Sequence, residues 1–273
     1  MKTDKGRVFE FQAGWRASGW LSALVVVVLA ACSGDERAMP PVVVRPPFEG
    51  TIFIDPDIIR EADPTMFTGL VYAGQGTREM FDRRVDAWVT RDPYLFDASF
   101  SDGLTIEVQV NPEFASVGAA EVEALFYADA VGRLPTSLRR DVETMWIHQG
   151  VEPYGGGNRN ILIHTGQSAE YIGLGILEET LVHEAAHTSM DGRYGASSGW
   201  LAAQSADPTF ISNYARDFPS REDMAETLVP YLAVRYRSDR ISSSMRAEIE
   251  GAIPNRIAFL DALGLDMFPI VEP

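Results

Sequence analysis

The chain has very little cysteine, histidine and lysine. Cys32 is the only cysteine among 273 residues, so an internal disulfide is excluded. There are four histidines, and both lysines fall within the first five positions. Acidic residues outnumber basic ones, 39 to 23, which gives a formal net charge of −16. A chain this acidic repels nucleic acid and anionic lipid surfaces, so no nucleic-acid partner is expected.

Long apolar runs are also absent, apart from one near the N-terminus. Residues 21–31, LSALVVVVLAA, follow a basic start and end in small side chains, which is typical of a secretory signal peptide. The run is too short to span a membrane comfortably. It leads into Leu-Ala-Ala-Cys, which resembles the lipobox of bacterial lipoproteins. We therefore expect a signal peptide over residues 1–31 and lipid on Cys32; an uncleaved signal anchor with an incidental cysteine is the alternative.

The lipobox resemblance also implies a location. Ser33 stands where an aspartate would retain a lipoprotein in the inner membrane, so the chain is expected at the outer membrane, facing the periplasm. Its contact with the membrane would come from the acyl chains on Cys32. Residues 32–49 are rich in proline and polar residues, which predicts an extended tether.

The most informative stretch is residues 177–191, LEETLVHEAAHTSMD, which has no proline or glycine and is predicted to be a helix. It contains the His-Glu-x-x-His pattern. On a helix, His183 and His187 project from one face and can bind a single zinc ion, while Glu184 can face the open side of the metal as a general base. Such a short pattern also arises by chance, but two of the four histidines fall at the required spacing here.

A tetrahedral catalytic zinc site needs a third protein ligand in addition to water. The metzincin continuation is excluded, because Met190 and Arg193 occupy the positions of its glycine and histidine. Residues 222–226, EDMAE, offer a different continuation. Together with HEAAH they resemble the gluzincin metallopeptidases, most closely the anthrax lethal-factor-like branch. The resemblance covers residues 130–236 and is specific only at these two motifs.

The gluzincin resemblance implies three further site residues. Glu222 would be the third zinc ligand, and Glu226 would accept a hydrogen bond from a ligand histidine. Tyr214 would stabilise the oxyanion, although its spacing from the glutamate helix is one residue longer than in the family.

A rival resemblance concerns residues 191–195, DGRYG, which are similar to the end of the aspzincin motif. That motif would make Asp191 the third ligand and Tyr194 the oxyanion donor, but the preceding Gly-Thr is missing. Asp191 also lies four residues after His187 on the same predicted helix. From there its carboxylate cannot easily reach the position on the metal that would complete a tetrahedron. We therefore favour Glu222 as the ligand and assign Asp191 to supporting a ligand histidine or capping the helix.

The predicted fold class is α+β, with a small, mostly antiparallel sheet followed by a zincin-like helical half. The HEAAH helix is expected to face the glutamate-bearing helix. Residues 50–130 form an α/β part of unknown role and residues 131–270 the catalytic part, the two making one compact unit. Strands are predicted at 51–54, 67–72, 94–100, 104–110, 145–148 and 161–164. Helices are predicted at 77–88, at 119–131 with an apolar face of Val122, Leu125 and Phe126, at 136–142, from Ser220 with a kink at Pro230, and at 241–265.

Two other features bear on function. The glycines at 155–157 lack the lysine of a P-loop and the spacing of a dinucleotide fingerprint, so no nucleotide is expected. Residues 161–164 are a candidate edge strand for pairing with an extended substrate. His164, at the end of that strand, is expected to be structural; the alternative is that it points into the cleft.

These observations predict a membrane-anchored, zinc-dependent metallopeptidase with Zn²⁺ as its cofactor and a peptide or protein as its substrate. One alternative is a non-catalytic, zinc-stabilised lipoprotein that serves as a binding module. Another is a zinc amidase acting on cell-wall amides.

Overall fold

Strands make up most of the first half of the chain, where β-branched and aromatic residues alternate with polar ones. The computed structural model describes residues 44–271, so the predicted signal peptide, Cys32 and most of the predicted tether lie outside the described residues. The strands are β1 (Phe67–Gln75), β2 (Arg78–Asp82), β3 (Ala87–Arg91), β4 (Tyr94–Phe100), β5 (Thr105–Val110), β6 (Thr144–His148), β7 (Gly155–Gly157) and β8 (Asn160–His164).

Six of these strands form one sheet in the order β1-β4-β5-β6-β8-β7, and β2 and β3 pair as a separate hairpin. In the six-stranded sheet β5–β6 and β6–β8 are parallel, and the other three pairs are antiparallel. The turn at residues 101–103 joins β4 to β5, and Gly103 adopts the left-handed conformation there, with φ +86°.

Helices dominate the second half of the chain. They are α1 (Val117–Gly132), α2 (Thr136–Arg139), α3 (Thr165–Leu174), α4 (Leu177–Ser189), α5 (Ser198–Ala206), α6 (Asn213–Asp217), α7 (Asp223–Tyr236), α8 (Ser243–Ala252) and α9 (Pro254–Ala262). The α+β prediction is therefore confirmed. Among the described residues, none of the helices combines the length and the apolar character needed to cross a membrane.

The prediction of a helix at residues 77–88 is wrong, because this stretch forms the β2–β3 hairpin. The apolar spacing suited a helix, but a turn follows Asp82, whose carboxylate accepts hydrogen bonds from the backbone and side chain of Arg84. Trp88 then packs edge-on against Trp146 of the main sheet, with 5.2 Å between ring centroids. This long-range contact is not visible in local periodicity.

The helix predicted at 119–131 is present as α1, but its buried face is not the predicted one. Val122, Leu125 and Phe126 are 65%, 41% and 38% exposed. The buried face instead carries small residues and one tyrosine: Ala120, Ala124, Tyr127, Ala128 and Val131. Alanines at this spacing allow the helix axis to approach the sheet closely. Hydrophobicity alone does not reveal which face of the helix is buried.

Three other local predictions are wrong. Residues 51–54 form turns rather than a strand. The stretch 241–265 contains two helices, α8 and α9, because Ile253-Pro254 interrupts it. The glutamate helix, predicted to start at Ser220 as its N-cap, begins instead at Asp223 with Glu222 as its N-terminal flanking residue.

The two long helices of the second half, α4 and α7, pack against each other and are buried along most of their length. The first turn of α7 is fixed by a fully buried ion triad. Arg256 of α9 donates to Asp223 at 2.9 Å and to Asp207, after α5, at 2.8 Å. A buried triad of this kind holds its elements in register, since losing one member leaves an uncompensated charge.

Candidate metal centre

His183 and His187 lie one turn apart on α4 and face each other. Their Nε2 atoms are 3.1 Å apart, and their rings are nearly perpendicular, at 82°. The helix places them side by side because residues four apart share a face. Both Nε2 atoms point away from α4 towards the start of α7, where Glu222 lies.

Glu222 completes a cluster with the two histidines. Its Oε2 atom is 3.4 Å from Nε2 of His183 and 3.3 Å from Nε2 of His187, and its side chain is buried. Among the described residues, this is the only group of three or more His, Cys, Asp or Glu side chains arranged to hold a metal ion.

The cluster passes a test of fit for a metal ion. Ligand atoms about 2.1 Å from one ion in a tetrahedral arrangement lie roughly 3.3 to 3.4 Å from each other. The three separations here are 3.1, 3.3 and 3.4 Å. In addition, the buried Oε2 atom of Glu222 has no hydrogen-bond partner, which is costly for a carboxylate oxygen unless a cation lies beside it.

Asp191 lies on the far side of His187 from this cluster. Nδ1 of His187 donates a hydrogen bond to Oδ2 of Asp191 at 2.8 Å. Because the proton is then on Nδ1, the lone pair is on Nε2, the atom that faces Glu222. The helix ends at Ser189, and Asp191 starts a short π-helical turn, Asp191–Gly195, that brings its carboxylate to this nitrogen.

The structure therefore places Asp191 away from the three facing ligand atoms. Tyr194, the other residue of the rival aspzincin-like assignment, is half-buried and packs edge-on against Phe259 of α9, with 6.2 Å between centroids. In that assignment Asp191 would bind the metal and Tyr194 would stabilise the oxyanion. Here Asp191 contacts His187, and Tyr194 packs against Phe259.

Glu226 lies one turn into α7 and stands beside His183. Its Oε1 atom is 3.5 Å from Nδ1 of His183, an ion-pair contact rather than a hydrogen bond. Oε2 accepts a hydrogen bond from the hydroxyl of Ser212 at 2.5 Å. The same hydroxyl accepts from the backbone N–H of Ala215 and so caps α6, the helix that carries Tyr214. Ser212 is not among the predicted site residues. Its hydroxyl links Glu226 of α7 to the start of α6.

Tyr214 lies next to the glutamate ligand. Burial and the negative charge of Glu222 both raise the pKa of the Tyr214 hydroxyl far above its usual value. The phenol therefore stays protonated and can donate a hydrogen bond over the whole physiological pH range. Burial alone would raise the pKa of Glu222, but the facing imidazoles of His183 and His187 outweigh this effect and strongly lower that pKa.

Glu184 follows His183 on α4 and is almost fully buried. Strand β7 passes directly over it. A Cβ atom on Gly156 would lie only 1.9 Å from the carbonyl oxygen of Glu184, so only glycine allows this approach. The run of three glycines is thus a strand packed on the HEAAH helix α4.

The expectation that residues 161–164 form an edge strand is wrong. They form β8, which is hydrogen-bonded to β6 on one side and β7 on the other, so β7 is the edge. His164 is fully buried, with Nδ1 donating to the carbonyl of Gln149 at 2.9 Å. Its ring stacks on that of His148. Burial and the neighbouring His164 lower the pKa of His148 to about 4.

The end of the predicted tether is part of the folded unit. The backbone N–H of Phe48 donates to Ile211, and its carbonyl accepts from Asn213 at 2.8 Å. The next carbonyl, that of Glu49, accepts from the N–H of Tyr214 at 3.1 Å. This segment therefore fixes the backbone of Tyr214.

No family model matches the sequence, and no curated protein or solved structure gives a significant match. Function is therefore inferred from the side chains of the cluster and from the elements that hold them.

Proposed function

We propose that the chain is a zinc-dependent metallopeptidase of the gluzincin type, in which His183, His187 and Glu222 bind the zinc ion. The observation that carries this proposal is the triangle of ligand atoms, with sides of 3.1 to 3.4 Å, formed by two imidazole nitrogens and one carboxylate oxygen. The packing of the HEAAH helix α4 against α7, which follows Glu222, supports a zincin-like arrangement.

The donor set favours zinc among the common metal ions. Two histidines and one glutamate are a typical ligand set for catalytic zinc, with one position left for water. Calcium and magnesium prefer six or more oxygen ligands and rarely use imidazole. The carboxylates at the far nitrogens, Asp191 on His187 and Glu226 near His183, are the usual partners of zinc-bound imidazoles.

Bound zinc would supply a Lewis acid that lowers the pKa of water at the site towards about 7. The chain itself moves the protons. A carboxylate oxygen of Glu184 accepts the proton of the attacking water and passes it to the leaving amine nitrogen. The protonated hydroxyl of Tyr214 donates a hydrogen bond to the substrate carbonyl oxygen as it gains negative charge.

The edge of the sheet suits a peptide substrate. Edge strands bind extended peptides through backbone hydrogen bonds, and β7 is the edge strand that lies against Glu184. In this proposal the scissile bond lies between β7 and the metal ligands.

The proposal includes attachment of the chain to the outer membrane through lipid on Cys32. Metabolic labelling with a fatty acid is expected to label the wild-type chain and not Cys32→Ala. Label that persists in Cys32→Ala would contradict a lipid on this cysteine.

The function is tested by digesting a peptide library with the purified chain before and after removal of its metal. We expect about one zinc ion per chain, cleavage by the zinc-loaded protein, no cleavage after chelation, and recovery on adding zinc. A chain that binds zinc and cleaves nothing would instead favour a non-catalytic binding module.

A further inference from the structure

The two carboxylate oxygens of Glu222 have different partners. Oε2 faces both imidazoles, whereas Oε1 accepts a hydrogen bond from Nε of Arg221 at 2.8 Å. The arginine therefore holds the oxygen that the histidines do not face. The sequence motif gave no sign of this division, because Arg221 lies just outside EDMAE.

Arg221 is itself held in place. Its guanidinium carbon lies 4.8 Å above the centre of the Phe218 ring, within the range of a cation–π contact. Phe218 in turn packs edge-on against Tyr214, with 5.3 Å between ring centroids. The side chain of Arg221 is 43% exposed, yet its Nε reaches a carboxylate that is only 2% exposed.

This division of the carboxylate has a chemical consequence. A glutamate can bind a metal ion through one oxygen or through both. A catalytic zinc site has three protein ligands and a water, and it expands to a fifth position when the substrate oxygen binds; a second glutamate oxygen beside the water would take that fifth position. A donor fixed on one oxygen opposes this, because it occupies one lone pair of that oxygen and holds the plane of the carboxylate.

We propose that Arg221 is a positioning residue that occupies Oε1 of Glu222, so that one oxygen alone reaches the metal and a coordination position stays open for substrate. This inference rests on the proposed function. Without Arg221 the carboxylate is free to rotate and to bind through both oxygens.

Arg216 provides a matched control for Arg221, because it forms an ordinary surface ion pair. Arg216 donates from Nε to the carboxylate of the next residue, Asp217, at 2.9 Å, and its side chain is 46% exposed. The two arginines thus make the same kind of contact with a neighbouring carboxylate, but Asp217 is exposed and outside the metal cluster. The exposed Arg216–Asp217 pair contributes little to stability, and in Arg221→Met the bound metal still balances the charge of Glu222, so both variants should fold.

The experiment compares the full chain with both variants after replacing the metal by Co²⁺. The visible absorption of Co²⁺ reports coordination number, and X-ray absorption of the zinc forms counts the oxygen ligands. We expect Arg221→Met to show weaker Co²⁺ absorption and one additional oxygen ligand. Peptide cleavage is expected to fall about 10-fold or more, a typical effect of losing a partner of a metal ligand. Arg216→Met should match the wild type in all three measurements.

Unchanged Co²⁺ absorption and zinc coordination in Arg221→Met would overturn the inference, even if cleavage fell, because Arg221 also lies near Tyr214. Wild-type protein that binds neither metal would overturn the proposed function and this inference together. A coordination change in Arg221→Met without cleavage by the wild type would support the inference and contradict the peptidase activity.

Discussion

The carboxylate of Asp191 accepts a hydrogen bond from Nδ1 of His187 at 2.8 Å, on the side of the ring opposite Glu222. One bond thus fixes both the orientation and the tautomer of an imidazole in the candidate metal cluster. It also separates the two candidate third ligands, since one carboxylate faces Nδ1 and the other faces Nε2.

Replacing the two carboxylates should therefore have different effects. Asp191→Asn keeps the shape of the residue but weakens its acceptor, and zinc affinity should fall about 10- to 100-fold. Glu222→Gln removes a ligand and should lose more affinity than Asp191→Asn. Competition with a chromophoric chelator measures both constants. Full zinc affinity in Glu222→Gln together with loss of zinc in Asp191→Asn would make Asp191 the ligand.

Gly156→Ala tests the contact between β7 and the metal helix. The added Cβ would meet the carbonyl oxygen of Glu184 at 1.9 Å, so one of the two elements must move. Overpacking of this kind typically costs about 1 to 3 kcal/mol, and urea unfolding should show a loss of that size together with reduced cleavage. Gly69→Ala, in strand β1, is the control because no atom lies within 4 Å of its added Cβ. Equal stability of the two variants would contradict the tight approach.

Glu179, buried on α4, predicts a pH dependence of stability. Burial raises its pKa to about 8, from an ordinary value of 4.5. The folded chain therefore keeps a proton that the unfolded chain releases, so stability falls as the pH rises from about 4.5 to 8. Each unit of pKa shift corresponds to about 1.4 kcal/mol.

The variant Glu179→Gln removes this titration, and its stability should change less than that of the wild type between pH 6 and pH 8. Its amide oxygen can still accept from the backbone N–H of Ile59, which donates to Glu179 at 2.9 Å. Urea unfolding of the zinc-loaded proteins at several pH values measures the difference. The exposed Glu170→Gln is the control, and a slope shared by all three proteins would rule out Glu179 as its source.

The sequence predicted those features that depend on local spacing. The α4 helix, the β4–β5 hairpin and the face shared by His183 and His187 all follow from side chains within a few residues of each other. Glu222 lies 35 residues beyond His187, and no local pattern connects them; only the EDMAE resemblance brought it into the predicted site.

The features that the sequence did not predict depend on contacts made after folding. In the hairpin at 78–91, Trp88 meets Trp146 of the main sheet, and the buried face of α1 consists mainly of alanines that let the sheet approach closely. Ser212 and Arg221 are ordinary polar residues in the sequence. Their roles appear only when α6 and α7 bring them to Glu226 and Glu222.

The most direct test of the central claim is Glu184→Gln, assayed for zinc content and for peptide cleavage in the same preparation. The glutamine keeps the shape of the side chain and leaves the ligands His183, His187 and Glu222 in place, but it cannot accept the proton of the attacking water. We expect full zinc occupancy and a rate of cleavage at least about 100-fold lower than that of the wild type. Cleavage at the wild-type rate by zinc-loaded Glu184→Gln would contradict the proposed peptidase mechanism.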